Sequence, residues 1–151
     1  MFDKEPNWLA AGTGVAYILT FLFMPVYHCI GLVSFTGMAL LDRAPVVVFL
    51  LLCGLLMIAG GLLVEWRISL GIGAVCTLIT LIFSMMGGKV VSNGLPVQMS
   101  HGAVICIVLG VIYCVVELMM GNARKKKRIQ ARLWDSQDGP GGQGGTPVDF
   151  F

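Results

Sequence analysis

Four stretches of this chain run for about the thickness of a lipid bilayer with at most one formal charge inside them, and few folds tolerate that. The hydrocarbon core of a bilayer, about 30 Å, takes roughly 20 helical residues at 1.5 Å each. Residues 46–64 and 68–86 carry no charge, and 103–120 is interrupted only by Glu117. The first apolar region is longer: no formal charge occurs for 33 residues from Leu9 to Leu41. As one helix it would reach about 50 Å, too long for one crossing and too short for two crossings plus a turn. The sequence therefore predicts one span over 9–29, bent near Pro25, where the ring removes a backbone donor. An apolar segment from Leu32 to Leu41 then lies at the interface, with Gly31 and Gly37 allowing the chain to turn.

Composition supports lipid as the solvent. Hydrophobic residues make up 57% of the 151 and charged residues 12%, against about 45–50% and roughly 25% in soluble proteins. A water-soluble fold of this size would leave large apolar patches exposed. The expected fold class is an all-α membrane protein. It is an antiparallel four-helix transmembrane bundle over residues 1–123, with an apolar interfacial segment after the first span. Residues 124–151 form a basic juxtamembrane segment and a Gly-rich flexible cytoplasmic tail. The N-terminal residues include Asp3, Lys4 and Glu5 and lack the basic n-region of a secretory signal, so the first apolar stretch reads as a retained span.

Orientation follows from the cations. Six of the ten Lys and Arg residues lie between Arg124 and Arg132. With four spans, these six join Lys4 and Arg67 on one side, eight in all, leaving Arg43 and Lys89 on the other. The expectation is a multi-pass protein of the cell membrane with both termini in the cytoplasm. Glu65, Trp66 and Arg67 then form a tight connection between the second and third spans.

The polar residues inside the spans fall on faces. Gly102, Cys106, Gly110, Cys114, Glu117 and Gly121 share one side of the fourth span, joined by Tyr113. Small residues let a neighbouring backbone approach closely, which is how helices associate in lipid. The third span has a similar stripe in Gly73, Cys76, Thr77, Thr80, Ser84 and Gly87, and the first in Thr13, Tyr17, Thr20 and Met24. Gly102, Cys106, Gly110, Cys114, Gly73, Thr77, Thr80 and Ser84 are the expected helix-packing residues. Glu117 is the one acidic residue well within a span, where an ionisable group is a functional candidate because its charge is costly there. With Tyr113 it forms the candidate ion or proton site, within reach of Arg124 or Arg67 as an ion-pair partner.

His28 and His101 map to the outer ends of the first and fourth spans, where two imidazoles would supply axial haem ligands or half a metal site. No further ligand set accompanies them except Cys29, and no cofactor is expected. Arg124, Lys125, Lys126, Lys127 and Arg128 are the expected contact with anionic headgroups, each adding about 1 kcal/mol of attraction near the surface. No aromatic interleaving accompanies them, so no nucleic acid is expected. The tail ends in Phe150 and Phe151 behind a glycine-rich linker, a candidate docking peptide. The five cysteines form no CxxC, and no nucleotide-binding, metalloprotease or hydrolase motif is present.

The leading expectation is a small non-enzymatic subunit or accessory factor of a membrane complex. It would act through helix–helix contacts with a protein partner or further copies of itself, and through its C-terminal tail. The alternative is a small oligomeric channel, holin-like pore or proton-coupled transporter that uses Glu117.

Overall fold

The structure, a computed structural model, describes residues 6–29, 33–42, 47–91 and 97–137. Helix α1 (Trp8–Phe23) begins at Asn7, whose side-chain oxygen accepts from the Ala10 N–H at 3.2 Å and so caps it. Strands β1 (Pro25–Cys29) and β2 (Val33–Thr36) follow, then the short α2 (Gly37–Leu41), capped by Thr36. Helix α3 (Val48–Leu63) and helix α4 (Trp66–Val91) are joined by Val64 and Glu65 alone. Strand β3 (Val97–Met99) precedes α5 (His101–Gln137).

The described chain is mostly helical, and two helices, α4 over Trp66–Met86 and α5, are long and apolar enough to cross a membrane. Helices α1 and α3 are apolar but shorter, at 16 residues each. The four pack in a ring in the order α1, α3, α4, α5, with α5 closing onto α1. Every seam is antiparallel, and small residues set the spacing. Gly61 lies against Ala10 and Ala11, and Gly54 against Ile18, on the α1–α3 seam. Cys76 meets Cys53 between α3 and α4, its thiol 3.6 Å from the Cys53 carbonyl. Gly110 abuts Thr77 and Gly73 abuts Tyr113 between α4 and α5. Gly102 touches the Pro25 carbonyl, and the Cys106 thiol sits 3.9 Å from the Tyr17 carbonyl, between α5 and α1.

The expected bend of the first span at Pro25 gives way to a change of secondary structure. Helix α1 stops at Phe23, and Pro25 opens a strand, because a proline has no N–H to continue the helical ladder and disfavours helical backbone in the residue before it. Met24 is accordingly extended, with φ −90° and ψ 148°. The segment expected to lie at the interface forms β2 followed by α2. Val26, Tyr27 and Val33 to Thr36 are β-branched, aromatic or small, the residues that fit a pleated ribbon. A three-stranded antiparallel sheet in the order β2–β1–β3 results, with His28 opposite Ser34 on one side and Gln98 on the other. The all-α expectation fits the mostly helical chain, and the small sheet caps one end of the helical bundle.

Tyr27 fastens the sheet to the bundle. Its hydroxyl donates to the Phe83 carbonyl of α4 at 2.7 Å, and its ring stacks obliquely on Phe83 with centroids 6.2 Å apart. Burial pushes the phenol up from 10 to about 12. A phenol held neutral in the folded state contributes stability that is present below pH 10 and lost as pH rises towards 12. Tyr27→Phe is expected to remove this alkaline step and to cost about 1 kcal/mol at neutral pH. Thermal unfolding of both proteins in detergent from pH 8 to 12 checks it.

Helix α5 runs unbroken for 37 residues, about 55 Å. The segment from residue 124 onward, expected as a juxtamembrane stretch and flexible tail, is helical through Gln137, with its basic side chains exposed apart from the half-buried Arg124. Alanine, Lys, Arg, Gln and Leu dominate this part, all strong helix formers. Phe150 and Phe151 lie outside the described residues.

Candidate functional site

The bundle is more polar inside than out. Leu9, Val15, Leu19 and Phe23 on α1 are exposed, as are Phe49, Leu52, Leu55 and Leu56 on α3. So are Val75, Leu78, Ile82 and Met85 on α4, and Val104, Val108, Val111 and Val115 on α5. Buried among the helices instead are Ser69, Thr80, Ser84 and Glu117.

Two tyrosines cross the diagonals of the ring. Tyr17 of α1 reaches α4, where its hydroxyl lies 2.6 Å from Thr80 Oγ1. Thr80 Oγ1 also donates to the Cys76 carbonyl at 2.8 Å, so the Tyr17 hydroxyl supplies the hydrogen between the two. Tyr113 of α5 reaches α3 and donates to the Met57 carbonyl at 2.7 Å. Three hydroxyls of the α4 stripe return to their own helix: Thr77 to Gly73, Thr80 to Cys76 and Ser84 to Thr80, each onto the carbonyl four residues back. That is the ordinary fate of a hydroxyl inside a helix, and it leaves the stripe satisfied without solvent.

Ser69 behaves differently. It stands one turn into α4, whose ladder begins with the Ser69 N–H on the Glu65 carbonyl at 2.8 Å. The Ser69 hydroxyl lies 2.7 Å from the Tyr113 hydroxyl and 2.9 Å from Glu117 Oε1. Ser69, Tyr113 and Glu117 are each 0% exposed. Tyr113 and Glu117, four apart on α5, share a face. On the tail side of this cluster the Trp66 ring packs against Gly121. The Arg67 guanidinium lies over that ring, 5.5 Å from its centroid, with its side chain exposed. The carboxyl, two hydroxyls and the Met57 carbonyl form one continuous hydrogen-bonded line from α5 through α4 and back across to α3.

The sequence grouped Glu117 with Tyr113, and the structure places them in one cluster. It missed Ser69, although the spacing held the signal: the stripe of Gly73, Cys76, Thr77 and Thr80 extends back by one turn to residue 69. The expected packing residues Gly102, Cys106, Gly110, Cys114, Gly73, Thr77, Thr80 and Ser84 all stand on the inward sides of α4 and α5. His28 and His101 are both exposed, on β1 and at the start of α5. Among the described residues no group of three or more His, Cys, Asp or Glu is placed to hold a metal ion. Cys53, Cys76, Cys106 and Cys114 are free thiols. Comparison with protein-family models, with curated proteins and with solved structures finds no match to this chain.

Proposed function

We propose that the chain is a four-span protein of the cell membrane with both termini in the cytoplasm, and that it serves as a non-enzymatic subunit or accessory factor of a membrane complex. The observation that carries the membrane reading is the inverted polarity of the bundle: an apolar belt surrounds all four helices while hydroxyls and a carboxyl are inside. Water would favour the reverse, whereas lipid favours polar groups facing a bundle interior. At 16 residues, α1 is about 24 Å long. Two extended residues, Met24 and Pro25, add about 7 Å, which matches the hydrocarbon thickness. Helix α3 gains less, one helical residue in Val47 and one extended residue in Val64 at its ends. The basic part of α5 and the α3–α4 connection with Arg67 stand at one end of the bundle, consistent with a cytoplasmic face.

The accessory role rests on how the interior is filled. Tyr17, Met57 and Tyr113 occupy the axis with 1% exposure or less, and most of the span glycines are spent on contacts within the monomer, Gly12 and Gly71 excepted. What remains for partners is the lipid-facing belt, the sheet end and the exposed helix beyond residue 124. The protein is expected to stay in the membrane pellet after alkaline extraction, and a reporter fused after Phe151 is expected to be active in the cytoplasm. Recovery in the supernatant, or an exported reporter, ends this reading. Deleting residues 139–151 tests the tail: if every co-purifying protein is retained, the tail is not the docking element.

The alternative, a proton-coupled activity, is favoured by one observation, the Glu117–Ser69–Tyr113 line. Flux measured in proteoliposomes with the parent and with Glu117→Gln separates the two readings, and absence of flux in both discards transport.

A further inference from the structure

We propose that the part of α5 beyond Gly121 is a docking surface for an acidic helix of a second protein. The inference deepens the accessory role above and rests on the membrane reading.

The other three long helices stop where α5 does not. At this end the Asn7 N–H donates to the Gly61 carbonyl at 3.0 Å, and the Trp66 ring packs against Gly121. These contacts mark the start of α1, the end of α3 and the start of α4. Beyond them α5 continues to Gln137, and from Asn122 to Ser136 every side chain is exposed except the half-buried Arg124. The helix contains no proline, a main cause of sharp kinks. Ile129 and Leu133 therefore stand about 12 and 18 Å past Gly121 along the axis. A headgroup layer is only about 5–8 Å deep. Lys125 stays within its reach, whereas Ile129, Arg132 and Leu133 stand clear of it in water.

Their rotation about the helix is the second observation. Val108, Val111, Val115 and Leu118 fall in one stripe about 80° wide, and Ile129 and Leu133 continue it. All six are between 43% and 59% exposed. Steps of three and four residues are those by which one helix seats against another. Within the span acyl chains cover the stripe; past Gly121 the same stripe meets water. Charge then selects what covers it there. Lys125, Lys126, Lys127, Arg128 and Arg132 surround the Ile129–Leu133 pair, and Asp135 is the only acid from Asn122 to Gln137. Lys125 with Arg128, and Arg128 with Arg132, are like charges three and four residues apart, which weaken a solvated helix. Carboxylates flanking an apolar seam on a neighbouring helix relieve that repulsion and fix the pairing. A second copy of this chain, inserted the same way up, would instead set the same cations against themselves.

The full chain is reconstituted in phosphatidylcholine nanodiscs, flotation with lipid first testing the membrane reading by itself. The probe is a labelled helical peptide of about three heptads with Leu at a and d and Glu at e and g, and its control carries Lys at e and g. The Glu probe is expected to bind at least about tenfold more tightly than the control. Ile129→Ser/Leu133→Ser is expected to weaken that binding at least about tenfold, with helicity by circular dichroism retained. Lys125→Glu/Arg128→Glu, which keeps the apolar pair, is expected to remove the preference for Glu over Lys. Equal binding of the two peptides by the parent overturns the proposal, as does binding indifferent to either double substitution. Quenching of Trp134 fluorescence by brominated anionic lipid, read as parent minus Trp134→Phe, overturns it and assigns the segment to the bilayer. A dimer that Ile129→Ser/Leu133→Ser returns to monomer overturns it in favour of a second copy. A chain that does not float ends the membrane reading together with this proposal; one that floats without selecting the Glu probe ends this proposal alone.

Discussion

Gly110→Val is expected to abolish close contact between α4 and α5 and to destabilise the protein by about 2–3 kcal/mol, the upper part of the range for overpacking. A Cβ at this position would run into Thr77, meeting Oγ1, Cβ and Cγ2. Thr77 is ill placed to yield. It is β-branched and stiff at χ1, and its hydroxyl is tied to the Gly73 carbonyl at 2.7 Å. The helix-propensity gain from removing a mid-helix glycine is only about 0.5–1 kcal/mol, too small to offset the clash. Denaturant titration of the purified protein in micelles measures the loss. Thr77→Gly in the same chain should recover part of it, because contacting sites are not additive. Full additivity of the two substitutions would show that Gly110 is not set by its contact with Thr77.

Tyr113→Phe is expected to cost about 2 kcal/mol, and Tyr17→Phe about 1 kcal/mol. The two side chains are alike in size and burial, but their hydroxyls differ in what depends on them. Tyr17 shares one contact with Thr80, which keeps its own bond to the Cys76 carbonyl. Tyr113 holds two contacts, to Met57 and to Ser69, and its loss leaves the Met57 carbonyl without its side-chain donor and the buried Ser69 hydroxyl without one of its two partners. A net hydrogen bond contributes about 1 kcal/mol, and a stranded buried group costs more; interhelical bonds in lipid average about 0.6 kcal/mol and reach about 1.7. The same denaturant titration decides it. Equal costs for the two variants would mean that Ser69, Tyr113 and Met57 do not act as a line.

Much of the helical layer was legible because its determinants are local. Uncharged runs marked the helices at 48–63, 66–91 and 101–137 to within a few residues at most ends, and small residues at three- and four-residue spacing marked the faces turned inward. The sheet was not legible for the opposite reason. Strands of four, five and three residues carry too little periodicity to separate them from an apolar coil, and β3 pairs with β1 across some 70 residues of intervening chain. Pro25 reads equally as a kink or as a stop, and only the pairing of Tyr27 with Met99 shows why it is a stop.

The sequence by itself determined that the chain makes long apolar helices, that Glu117 and Tyr113 share a face, and that the cations gather beyond the last apolar run. These follow from helical period and composition, which operate within a few turns. Only the tertiary structure decided that Ser69 stands between Tyr113 and Glu117, that each tyrosine spans a diagonal of the ring, and that a sheet caps the end opposite Trp66. Those facts depend on which helices become neighbours and at what rotation. The side-chain volumes and hydrogen-bond partners of four helices settle that together, and no single segment encodes it.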